Sequence, residues 1–130
     1  DRARDLLQAA TLRHPEEVKY WAALARLNQR QRGNAAGLES LAAAEQIHPG
    51  RVELWLVRID CVRLIALDGI ETKLDQFTAE EQVVLLQRLA DAYQKFGRMQ
   101  RASRLLSRAT QHRPRDMALL VIAFEAALNA

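Results

Sequence analysis

The chain has 130 residues, 49% of them apolar and 27% charged, with a formal charge of +3. That is the size of one ordinary domain with enough apolar residues for a core, and it is unlike a disordered or fibrous chain. The single cysteine, Cys61, excludes internal disulfides and cysteine-based metal clusters. The longest apolar run, Met117 past Glu125 to Leu128, falls short of the roughly 20 residues of a membrane span.

The absence of disulfides fits a soluble cytoplasmic or periplasmic protein equally. The first residues, Asp1-Arg2-Ala3, already read as helix interior, which predicts a piece of a longer protein. Glu17 to Arg30 places Val18, Trp21, Leu24, Ala25 and Asn28 at helical spacing, and Gly33-Asn34 breaks the pattern. Ala35 to Ile47 reads as a second helix. His14-Pro15 and His48-Pro49 each end one element and open the next, because a residue before proline resists the helix while proline suits its first turn. An apolar helix is expected over Val52 to Leu67, then a stunted one over Ile70 to Phe77 after Asp68-Gly69. Thr78 to Glu81 has the form of a capping box opening another helix. Met117 to Leu128 reads as a helix without a partner and predicts an exposed apolar face, open to self-association through 117–128.

The chain also repeats itself. A shift of 34 residues puts Leu7 on Leu41, Ala10 on Ala44, His14 on His48, Pro15 on Pro49, Val18 on Val52 and Trp21 on Trp55. A shift of 99 puts Arg2 on Arg101, Ala3 on Ala102, Leu6-Leu7 on Leu105-Leu106, Ala10-Thr11 on Ala109-Thr110 and Pro15 on Pro114. Self-similarity at such a period is the mark of a solenoid.

Trp21, Leu24, Ala25, Leu41, Ala44 and Pro49, and again Leu86, Leu89, Ala90, Tyr93, Gly97, Ala102, Leu106, Ala109 and Pro114, resemble the tetratricopeptide repeat (TPR) pattern of large and small residues. The resemblance implies an all-α, right-handed α-solenoid of antiparallel helix pairs forming a single domain over 1–130. It would comprise about three full repeats with a half-repeat at each end: 1–17, 18–51, 52–82, 83–116 and 117–130. Small residues in that pattern let helices approach to about 8–10 Å. The unit from Val52 departs from it, with Arg58 and Ile59 where the family has leucine and a small residue.

The residues give no reason to expect an enzyme, a cofactor or a resident metal. There is no phosphate loop, nucleophile elbow or zinc helix in the sequence. His14, His48 and His112 sit at successive inter-repeat turns, expected on the order of 16–20 Å apart from helix spacing. One zinc cannot bridge that. Cys61 reads as a small buried hydrophobe, Trp21 and Trp55 as core residues, and Glu80-Glu81 as part of the cap.

Two surfaces remain. First helices of TPR units line a concave groove, and the resemblance places Lys19, Arg26 and Gln29, then Glu53, Asp60 and Arg63, then Gln87, Asp91 and Gln94 on it. The expected role is a scaffold taking a partner peptide or helix in this groove of mixed charge. Arg26 with Asp60 and Asp91 does not reproduce the Lys/Asn/Arg set with which some TPR domains clamp chaperone tails. The second surface is a basic stripe of Arg101, Arg104 and Arg108 within 98–115, set against an acidic segment from Asp68 to Glu81. The two predict a charge dipole along the rod. The stripe offers an alternative, nucleic-acid or phosphate binding; another is a docking domain of a larger enzyme or secretion assembly. Base-by-base RNA reading is disfavoured by Ala22, Leu56 and Gln87 at the groove positions where the related pentatricopeptide repeats use Asn, Asp, Ser or Thr.

Overall fold

The computed structural model describes residues 2–62 and 64–130, the side chains of 64 and 65 excepted. Among the described residues there are eight α-helices, one short 3-10 turn and no strand, and they form two compact units, Asp1–Val62 and Arg63–Ala130.

The first unit contains α1 (Arg2–Arg13), α2 (Val18–Arg32), α3 (Asn34–Ile47) and α4 (Val52–Cys61). Helix α2 is the hub, packed against α1, α3 and α4. Its Val18 and Ala25 join Leu41 and Ala44 of α3 and Leu54, Val57 and Cys61 of α4 in one buried cluster, with Trp21, Ala22 and Leu38 packed on its rim. The break between α2 and α3 is Gly33, whose φ of +97° lies in the region glycine alone enters cheaply. Its N–H closes α2 on the Gln29 carbonyl at 3.0 Å.

Helix α4 is shorter than the apolar run predicts. It stops at Cys61, where Val62 turns extended (φ −93°, ψ 161°) while its N–H still bonds the Arg58 carbonyl at 3.1 Å. A β-branched residue gives up little by leaving a helix.

The second unit contains α5 (Leu64–Glu71), a 3-10 turn (Leu74–Gln76), α6 (Ala79–Lys95), α7 (Met99–His112) and α8 (Met117–Asn129). The stunted helix exists, but it is α5, with Asp68-Gly69 inside it rather than before it. Contacts from α6 and α7 to Asp68 and Glu71 explain why this acidic turn stays helical. The capping box is present in full: the Glu81 N–H donates to Thr78 Oγ1 at 3.2 Å and the Thr78 N–H to Glu81 Oε1 at 3.1 Å. Helix α6 packs on α7, burying Leu86, Leu89, Ala90 and Tyr93 on one and Ala102, Leu105, Leu106 and Ala109 on the other. Helix α8 packs on α7, is capped by Asp116 accepting from the Leu119 N–H at 3.1 Å, and buries Leu119 and Ala126. Met117, Val121, Phe124 and Leu128 are exposed, as expected of an unpartnered helix. No helix among the described residues is long and apolar enough to cross a membrane.

Gly37, in the interior of α3, marks the closest helix approach. A Cβ there would lie 2.7 Å from Gln29 Cβ and 3.0 Å from Cys61 Sγ. Neither neighbour is the loose end of a side chain. Gly37→Ala gains about 1 kcal/mol of helix propensity but forces α2 and α3 apart, an overpacking cost of roughly 1–3 kcal/mol. The expected outcome is a net loss of stability, read as a lower urea midpoint at unchanged slope; a higher midpoint would show that α3 sits looser on α2 than these distances imply.

Candidate interaction surfaces

The recurring His-Pro and Trp motif has a direct physical role. The Pro15 carbonyl accepts the Trp21 indole N–H at 3.0 Å, and His48 Nε2, from the next repeat's turn, lies 2.7 Å from the same oxygen, in donating position as the Nε2–H tautomer. The Trp21 and His48 rings meet edge-on with centroids 6.5 Å apart. The two turns are thus tied through the His48 side chain, which reaches back to the preceding turn. His14 lies beside Glu16 at 3.7 Å and His112 is exposed. Among the described residues no group of His, Cys, Asp and Glu is arranged to hold a metal ion.

On α2 and α4 the structure brings Arg26 and Asp60, one repeat apart, to 2.7 Å as a half-buried ion pair. Around it Lys19 sits 5.3 Å from the Tyr20 ring, Gln29 donates to Asn34 Oδ1 at 3.1 Å, and Glu53 lies 3.4 Å from Arg51. Arg63 lies outside the described residues. Gln87, Asp91 and Gln94 are on α6 of the second unit, Asp91 exposed and the two glutamines half-buried.

Arg58 was visible in the sequence only as a departure from the repeat. It forms an ion pair with Glu45 of α3 and holds its guanidinium 5.7 Å from the Trp55 ring. A leucine position has become a polar clasp between α3 and α4. Cys61 is 2% exposed, and burial, then the Asp60 charge, push its thiol pKa up against the opposing pull of Arg26 and Arg58. A thiol held protonated is a poor nucleophile.

The basic stripe is not a row of free cations. Arg101 lies 3.0 Å from Asp68 and 3.3 Å from Glu71 of α5, and Arg108 lies 3.5 Å from Glu71. Arg113 pairs with Glu80 and lies 3.8 Å from Asp116; Arg104 is exposed. The acidic segment and the stripe therefore face each other inside the second unit, and the expected dipole collapses into ion pairs. Beneath them Tyr93, 1% exposed, donates its hydroxyl to Asp68 Oδ1 at 2.6 Å with the Arg101 guanidinium 5.2 Å from its ring.

Burial, and then the bond to Asp68, raise the Tyr93 pKa well above the ordinary tyrosine value of 10.0. The fold therefore favours the neutral phenol. Its contribution is complete below about pH 10 and is lost as pH climbs from there toward the raised value. Tyr93→Phe should cost about 1.5–3 kcal/mol at neutral pH, as for a bond to a charged group. It should also flatten the alkaline decline in denaturant midpoint relative to the parent chain; parallel declines would dissociate Tyr93 from it.

No protein-family model matches the sequence, and no curated protein matches it either. Among solved structures the chain is similar to a thermophilic TPR protein of Thermus thermophilus, with a TM-score of 0.71 and 25% identity over 97% of this chain and 72% of that one. With the recurring turns, the small-residue seams and the antiparallel pairs α2–α3 and α6–α7, that likeness gives the chain the all-helical fold of the tetratricopeptide repeat proteins.

Proposed function

We propose that the chain is a protein-interaction scaffold that receives an extended segment or helix of a protein partner on the exposed faces of its first helices. The α2–α4 face carries Lys19, Arg26, Gln29, Glu53 and Asp60, and α6 offers Gln87, Asp91 and Gln94 in the second unit. The observation that carries the reading is the Arg26–Asp60 pair, which joins two successive first helices at 2.7 Å and makes their exposed sides one surface. Long polar side chains there can hydrogen-bond a partner that the intrahelical backbone cannot. The mixed charge favours a protein of mixed charge over a phosphate backbone. Nucleic-acid binding through Arg101, Arg104 and Arg108 has less support, because Arg101 and Arg108, already held by Asp68 and Glu71, release few counterions on meeting phosphate.

The test is capture from host extract on the immobilised chain, with nuclease present, beside the double variant Arg26→Glu, Asp60→Lys. Reversing both charges keeps the pair, so stability should stay within about 1 kcal/mol. Retention of a discrete protein should fall by about tenfold or more, roughly 1.4 kcal/mol. Retention that ignores the reversal, or that vanishes with nuclease, overturns the reading.

A further inference from the structure

The two antiparallel pairs α2–α3 and α6–α7 align with a shift of 65 residues, which puts Leu24 on Leu89, Ala25 on Ala90, Leu41 on Leu106 and Pro49 on Pro114. Their cores agree, and their connecting turns do not. In the first unit the turn carries Gln31, which accepts from Arg4 at 2.7 Å, and Asn34, which accepts from Gln29 at 3.1 Å. The equivalent positions in the second unit are Phe96 and Met99, 48% and 38% exposed. Between them Gly97 stands at φ +75°. Its N–H bonds the Gln94 carbonyl at 2.9 Å and the Arg98 N–H bonds the Tyr93 carbonyl at 2.8 Å, the paired closure of a Schellman turn. Backbone bonds, rather than a frayed end, thus hold two large apolar side chains at the surface. Cations flank them. Lys95, Arg98 and Arg104 are exposed and, among the described residues, make no ion pair, and the first turn of α7 carries no acid. An open cleft beside Met99 is lined by Arg98, Arg101 and Arg104, of which only Arg101 meets carboxylates, Asp68 and Glu71.

We propose that the α6–α7 turn is a docking point for a membrane surface containing anionic phospholipids, with a lipid phosphate in the arginine cleft and Phe96 and Met99 in the apolar layer just below the headgroups. Two chemistries meeting at one turn select this partner. A purely acidic peptide would use the arginines and leave the ring and the thioether in water. A single-stranded nucleic acid would stack on Phe96, but it also needs cations along a track, and the next arginine of the stripe, Arg108, is turned to Glu71 at 3.5 Å. A bilayer surface takes both: its headgroups carry the negative charge, and the acyl boundary beneath them accepts apolar side chains. A turn that enters only this boundary requires no spanning helix, and none is present among the described residues.

Co-sedimentation with vesicles tests this on the 130-residue chain. The parent should pellet with vesicles of equal parts phosphatidylglycerol and phosphatidylcholine, stay in solution over phosphatidylcholine alone, and be released as salt is raised. Phe96→Gln with Met99→Asn restores the polar character of the first unit's turn, so it should keep the parent's circular dichroism and lose vesicle binding by about tenfold or more. Arg98→Gln with Arg104→Gln should lose a similar factor of about tenfold, since each cation near an anionic surface contributes separately. Should either double variant lose helix content, Phe96→Ser or Arg104→Gln alone repeats its arm of the test. A parent that ignores the mixed vesicles, or an apolar-to-polar variant that binds them as the parent does, overturns the proposal. So does tighter retention of a labelled oligothymidylate than of the mixed vesicles, with loss in both variants, which would make the turn a nucleic-acid surface.

Discussion

A pair of antiparallel helices some thirty residues long buries one seam between its members and leaves its outer sides wet, so it is stable only when a neighbouring helix takes over another side. Helix α2 meets this requirement through three neighbours. How close they come is set by residue size: Ala25, Gly37 and Ala44 stand at the crossings, and Leu41, Leu54 and Val57 fill the space between. The larger residues supply most of the burial, about 1.5–3 kcal/mol for each full aliphatic side chain. The small ones decide whether that burial is geometrically available.

Charges play a secondary and more local part. Arg26–Asp60 joins α2 to α4, Arg58–Glu45 joins α4 to α3, and Arg101 and Arg108 join α7 to α5. Partly exposed pairs of this kind contribute at most about 1 kcal/mol each, too little to hold a fold and enough to favour one register over a slipped one. They also consume charge. A sequence of pI near 9.5 presents less free positive potential than its arginine content implies, because Arg101 and Arg108 of the stripe on α7 pair with carboxylates of α5.

The repeat was legible from its 34-residue period, and the glycine break after α2, the Thr78–Glu81 cap and the apolar face of α8 from residues within a few turns of one another. What was not legible depends on distant partners. The end of α4 at Val62 has no local breaker, and an apolar run reads the same whether it forms one helix or two. Gly37 looks like an ordinary weak point of a helix until Gln29 and Cys61 are placed against it. Of the candidate groove, the α2–α4 portion could be found from 34-residue spacing, but not that Arg26 and Asp60 would neutralise each other. Arg58 signalled itself only by breaking the family pattern, and its partner Glu45 lies on another helix.

The division into two compact units has a spectroscopic side. Both tryptophans, Trp21 and Trp55, fall in the unit ending at Val62, while the other unit has Tyr93 as its sole hydroxylated ring. Indole emission is therefore a private signal of the first unit, whereas the far-ultraviolet helix band sums over both. Were the units to melt as one, the two signals would trace a single curve; were they separate cooperative bodies, emission would follow only its own half.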